Sequence, residues 1–183
     1  RRPSMITSHH GKTPVVHPTA WVAPDATLCG DVVISAETRV LFGARIIGEG
    51  GRIEIGAHGI VLENAVVRST ARHSTRIGNH CLIGPHAHVV GCTVEDEVFV
   101  ATGAAVFHGA RLGKGSEVRV NAVVHLKSFL PAGATVPIGW VAVGDPAAIL
   151  PPDQRAAIWA RQMPLTRRGG HGEDHDATLG RVG

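Results

Sequence analysis

Twelve histidines and three cysteines are the side chains of this 183-residue chain best suited to hold a metal or move protons. Cys29, Cys81 and Cys92 are an odd number at no metal-ligand spacing, so they read as reduced, mostly buried thiols. His86 and His88 sit one and three residues after Pro85, where both side chains can face outward toward a neighbour. No third donor stands beside them at a tight metal-motif spacing, although His73, His80, His108 and His125 lie in the same part of the chain. His171 and His175 fall in a run with Arg167, Arg168, Glu173, Asp174 and Asp176, which reads as a solvated tail. The spacings imply no metal and no cofactor. A relocated metal, shared by His86, His88 and a histidine from a neighbouring subunit, stays open as an alternative.

Positioning such groups falls to a repetitive β-structure. Glycine is abundant at 23 residues, aromatics make up 4% of the chain and tyrosine is absent. From Val16 the branched aliphatics recur every six residues: Val16, Val22, Leu28, Ile34, Val40 and Ile46. After a break at Gly48–Arg52 the series resumes with Ile55, Val61 and Val67. After a second break at Ser69–Arg76 it continues with Ile77, Ile83 and Val89. One residue is then dropped, and Val94, Val100, Val106, Leu112, Val118, Val124 and Leu130 complete it. Six residues suit a short strand plus a corner, and three such units close a triangular coil. Small residues at the fifth position, such as Ala26, Ala44, Ala65, Ala87 and Ala104, fit the corners. An antiparallel sandwich would need period-two alternation and hairpin turns such as Asn-Gly or Asp-Gly, which the chain lacks.

The pattern divides the chain into an N-terminal extension over 1–15, a β-helix over 16–145, a linker and C-terminal helix over 146–165, and a polar tail over 166–183. Asp153 is read as the cap of a helix running to about Met163, with Ala156, Ile158, Trp159 and Met163 on its apolar face. The net charge is +3, and the basic residues form no stripe interleaved with aromatics, which argues against a nucleic-acid groove. No apolar run approaches ~18 residues and no signal-peptide pattern is present, so a cytoplasmic protein without a membrane segment is expected.

Gly30-Asp31-Val32-Val33-Ile34, Ile83-Gly84, Val90-Gly91-Cys92-Thr93-Val94 and Val143-Gly144-Asp145-Pro146-Ala147 resemble the γ-class carbonic anhydrase family, from about Val16 to Arg161. The resemblance implies an all-β fold, a left-handed parallel β-helix of hexapeptide repeats with a C-terminal α-helix. The handedness comes from the resemblance alone, since the period does not supply it. The family further implies a homotrimer with active sites between subunits, where three histidines hold a zinc whose hydroxide attacks carbon dioxide. At those three positions this chain has Arg68, Pro85 and Val90, none of which binds zinc. The family's Arg-Gly-Asp turn reads Ile47-Gly48-Glu49, and its Gln-Asp pair reads Leu62-Glu63.

The replacements suggest a different ligand. Ile47, Leu62, Val90 and Phe107 form an apolar wall, with Pro85 and His88 beside it, while Arg68 and Glu49 remain as charged anchors. Arg68 can fork onto a carboxylate or phosphate, and Glu49, Glu63 or His86 can act as acid or base. In the competing view Arg68 and Glu49 only pair across a subunit boundary. Two further alternatives are a hexapeptide acyltransferase with His86 or His108 as base, and a non-catalytic structural subunit.

Overall fold

In the computed structural model, which describes residues 5–167, the hexapeptide series winds into a stack of parallel coils with three flat faces. One 7-stranded parallel sheet, from Trp21–Val22 to Thr135–Val136, makes the third face. A 14-stranded sheet makes the other two. It wraps a corner because Thr27–Ile34 and Arg45–Ile55 each run without a break from the first face onto the second. The first ladder begins with Met5–Thr7 paired to Thr27–Cys29, and the last rung, Val141–Val143, takes Ala148–Leu150 as an antiparallel edge partner.

Strand register explains the period. Val100 lies between Ile83 and Val118, and Val89 between Val67 and Val106, so every inward aliphatic stacks on one from the coil below and one from the coil above. Ile34, Val40, Ile46, Ile83, Val89, Val100, Val106 and Val118 are each at most 1% exposed. Each such side chain contributes roughly 1.5–3 kcal/mol through burial. Val16 and Val22 are only half-buried, because the first coil has no full coil beneath it. The fifth-position alanines also point inward, where the narrowing corner has room for little more than a methyl group. Thr38 takes the same place and passes its hydroxyl hydrogen to the Gly56 carbonyl at 2.7 Å.

The two breaks in the period have separate causes. At the first, a Cβ on Gly30 would lie 2.4 Å from the Gly48 carbonyl oxygen, and one on Gly48 would lie 2.9 Å from the Asp31 backbone. The two glycines therefore let neighbouring strands turn a corner in contact, with a register shift between Gly30 and Val32. At the second, Thr70 to His73 form a tight turn closed by paired backbone hydrogen bonds.

The C-terminal helix spans Arg155–Arg167 and packs against Val141–Val143. Its inner side carries Ile158, Gln162 and Met163, whereas Ala156 and Trp159 face out, Trp159 being 61% exposed. The apolar face expected from the sequence is thus rotated: the docked stripe follows the i, i+4 step from Ile158 to Gln162. The tail expected over 166–183, with His171 and His175, lies almost wholly outside the described residues.

Replacing Val100 with Asp would bury a carboxylate between two aliphatic layers and should cost more than about 4 kcal/mol. Urea unfolding checks this, and an unchanged midpoint would show that the inward register is wrong.

Candidate functional site

Arg68 lies in the strand Val66–Ser69, whose alternation buries Val67 and Ser69 and turns Arg68 outward. Its backbone faces Ile47 on one side and Val90 on the other, so an arginine sits between two aliphatic side chains on the first face. The Arg68 carbonyl accepts the Gly91 N–H at 3.0 Å and the Thr75 hydroxyl, and Thr75 Oγ1 also accepts the Gly91 N–H at 2.8 Å. Thr75 is 1% exposed. The second break in the period therefore anchors the arginine's backbone, a role that only a polar residue next to a buried ladder position hints at in the sequence.

Arg68 Nη2 donates to Glu49 Oε2 within the same chain. This corrects the view of a pair spanning two subunits. Glu49 follows Gly48, the rung partner of Ser69, so both side chains leave adjacent coils at one corner. With the side chains 41% and 55% exposed, the pair adds at most about 1 kcal/mol to stability.

His88 projects from the same face two residues before Val90. Partial desolvation of its ring, and then the Arg68 cation, push its pKa below the ordinary histidine value. One coil beyond Val90, the Phe107 ring stacks on His125 with centroids 6.2 Å apart, and burial lowers the His125 pKa as well.

Leu62, Glu63, Pro85 and His86 form a second group at the opposite edge of the first face. There His86 adopts a left-handed φ of 57° and donates its N–H to the Glu63 carbonyl at 3.0 Å. His86 lies in the turn before the strand His88–Val90, so it and Val90 stand at opposite ends of this segment. One chain thus brings together Ile47, Glu49, Arg68, His88 and Val90, with Phe107 on the next coil, and keeps Leu62, Glu63, Pro85 and His86 apart from them.

A third cluster stands at the corner that leaves the first face. Gly91 has a φ of +56°, and a Cβ on it would lie 2.7 Å from His73 Cβ and 2.9 Å from His108 Cβ. Only glycine lets the two histidines straddle it, with ring centroids 5.1 Å apart. Burial, then His73, then Lys127 lower the His108 pKa. The sequence shows His73 and His108 but not their meeting, because 34 intervening residues separate them and the second break sets the offset.

Among the described residues no group of three or more His, Cys, Asp or Glu side chains is placed to hold a metal within one chain. Burial pushes the Cys81 thiol up and that of Cys92 to about 12, so both stay protonated and unreactive at neutral pH. Two shallow depressions of about 290 and 320 Å³ lie on the second face around Arg76, away from Arg68. No described helix is long and apolar enough to cross a membrane.

No protein-family profile matches the chain. It is 33% identical to γ-carbonic anhydrase 1, mitochondrial, of Arabidopsis thaliana over 128 residues, which are 67% of this chain and 46% of that protein. It is 30% identical to the carnitine operon protein CaiE of Escherichia coli K12 over 137 residues, 75% of this chain and 67% of that protein. The chain belongs to the γ-carbonic anhydrase-like family of hexapeptide-repeat proteins. It spans about half the length of the Arabidopsis relative. Among solved structures, a hexapeptide transferase family protein from Anaplasma phagocytophilum superposes with a TM-score of 0.59 at 25% identity, covering 92% of this chain and 99% of that one. The UDP-N-acetylglucosamine acyltransferase of Francisella novicida superposes with a TM-score of 0.61 at 19% identity, covering 75% and 63%, and shares the fold.

The histidine shifts set a pH dependence. His88, His108 and His125 have folded-state pKa values below the ordinary 6.5, so on acidification the unfolded chain takes up their protons first. Stability should therefore fall as the pH drops from about 6.5 through their lowered values, which urea unfolding at about pH 7.5 and 5.5 measures. Arg68→Ala should raise the His88 pKa in an NMR titration while leaving the part due to desolvation.

Proposed function

We propose that this protein is a homotrimer that binds or converts a small organic anion, a carboxylate or a phosphate, at a cleft between subunits, without the zinc of its carbonic anhydrase relatives. The observation carrying this reading is the Ile47–Arg68–Val90 rung. A guanidinium and two aliphatic side chains do not fit a divalent zinc, which needs about three neutral or anionic donors. They do fit an organic anion, which needs an apolar wall and a fork of fixed donors. Glu49 holds the Arg68 fork in place and shares it with an incoming anion, since one guanidinium carries five N–H donors.

Outward ladders support the trimer. On the second face Glu54, Arg76, Thr93 and Arg111 follow one another across the rungs, a composition that suits water. On the third face Ile60, Leu82 and Phe99 form an apolar stretch between Arg39 and Glu117, and the first face carries Val66, Ala105, Val123, Ile47 and Val90 together with Arg45, Arg68 and His88. A heterologous contact between the apolar stretches of these two faces gives a closed trimer when its rotation is a third of a turn. It would set Leu62, Glu63, Pro85 and His86 of one copy against Arg68 and Val90 of the next. His86 or Glu63 then supplies the acid or base. A cytoplasmic location accords with the reduced thiols.

Light scattering at micromolar concentration should give the mass of three chains, and a clean monomer would remove the cleft. Metal analysis should find well under one zinc per chain, with negligible carbon dioxide hydration. Arg68→Ala should abolish calorimetric binding of acetate and inorganic phosphate while leaving the melting temperature nearly unchanged, because the exposed Glu49 pair adds at most about 1 kcal/mol. If Arg68→Ala dissociates the trimer and binding persists, the arginine is an interface strut. Stabilisation by coenzyme A, with no response to simple anions, would favour the acyltransferase alternative.

A further inference from the structure

The cluster around Gly91 has no part in the reading above, yet it adjoins the Arg68 rung. Gly91 donates its N–H to the Arg68 carbonyl at 3.0 Å, and the same glycine is straddled by His73 and His108. Lys127 starts one coil further along, its N–H on the His108 carbonyl at 3.1 Å, and its stem runs past Gly109. Thr70 sets the His73 side chain: its hydroxyl accepts the His73 N–H at 3.1 Å and lies 3.5 Å from Nδ1. Two imidazoles with centroids 5.1 Å apart are therefore gathered at one corner, within electrostatic reach of Lys127. A cation would meet the Lys127 charge there, whereas an anion finds three groups able to donate hydrogen bonds. Val90, the rung partner of Arg68, and Phe107 immediately precede Gly91 and His108 in the chain.

We propose that the ligand carries a second anionic group, held by His73, His108 and Lys127, so that the site selects a dicarboxylate over a monocarboxylate. The methylene chain between the two carboxylates runs along Val90 and Phe107. The inference rests on the Arg68 reading and deepens it by naming the substrate class.

Calorimetry on the wild-type protein, comparing acetate with malonate, succinate, glutarate and adipate, tests it. At least one dicarboxylate should bind more than about tenfold tighter than acetate, the gain expected of added hydrogen bonds to a charged group. His73→Ala or His108→Ala should bring that dicarboxylate down to the affinity of acetate, with size-exclusion chromatography showing the assembly retained. If acetate binds and no dicarboxylate binds tighter, the second anchor is wrong while the Arg68 reading stands. A dicarboxylate preference that survives the double substitution also overturns it. If neither acetate, inorganic phosphate nor any dicarboxylate binds, both inferences fall, and binding of phosphate alone overturns the dicarboxylate reading while the Arg68 reading stands. The wild-type comparison decides even where a variant fails to assemble.

Discussion

Each coil passes its backbone N–H and C=O groups to the coils on either side, and this ladder obliges every inward side chain to stack on a counterpart one coil away. A residue of the wrong size at Val100 is felt by Ile83 and Val118 together, so the aliphatic series tolerates little variation. The same constraint explains how a chain with 4% aromatic residues builds a core. Cohesion comes from many layers of Val, Ile and Leu, with no single large ring among the largest buried side chains. It also explains the helix at the C-terminus, which packs on the last rung, where the ladder has no further coil to meet.

Outward positions carry no such obligation, and there the chain has room to change its chemistry without changing its fold. Arg68 stands between Val67 and Ser69, both buried, and its own half-exposed side chain donates to Glu49. Exchanging one outward polar residue for another at such a place leaves the core untouched. The backbone at that point is still firmly held: Thr75 and Gly91 grip the Arg68 carbonyl. A rigid backbone under a long, half-exposed side chain suits a binding residue, because only the guanidinium must be ordered when a ligand arrives.

The division of the candidate residues between two edges of the first face follows from strand geometry. Neighbouring outward residues along a strand are roughly 7 Å apart, so groups at both ends of one face cannot converge on a ligand the size of a carboxylate. A site using both edges needs a second chain, and the apolar stretches Ile60–Leu82–Phe99 on the third face and Ile47 and Val90 on the first offer it surface to cover. The second face, rich in paired charge such as Arg52 with Glu54 at 2.8 Å, is suited to solvent.

The sequence by itself determined the fold class, the inward residue of nearly every rung and the outward direction of Arg68, Val90 and His88. All three follow from a six-residue period combined with strand alternation, which are local properties of the chain. It also shows residue types that do not bind zinc at Arg68, Pro85 and Val90. The tertiary structure decided what depends on the offset between coils. The breaks at Gly48–Arg52 and Ser69–Arg76 lengthen their coils to 21 and 22 residues and the residue dropped before Val94 shortens the next to 17, offsets that a six-residue period does not supply. Those offsets placed Glu49 against Arg68 in the same chain and set His73 and His108 on either side of Gly91. They also put Thr75 under the Arg68 carbonyl. Helix docking was likewise decided in three dimensions, because the face that Ile158 and Gln162 present is chosen by the surface they meet.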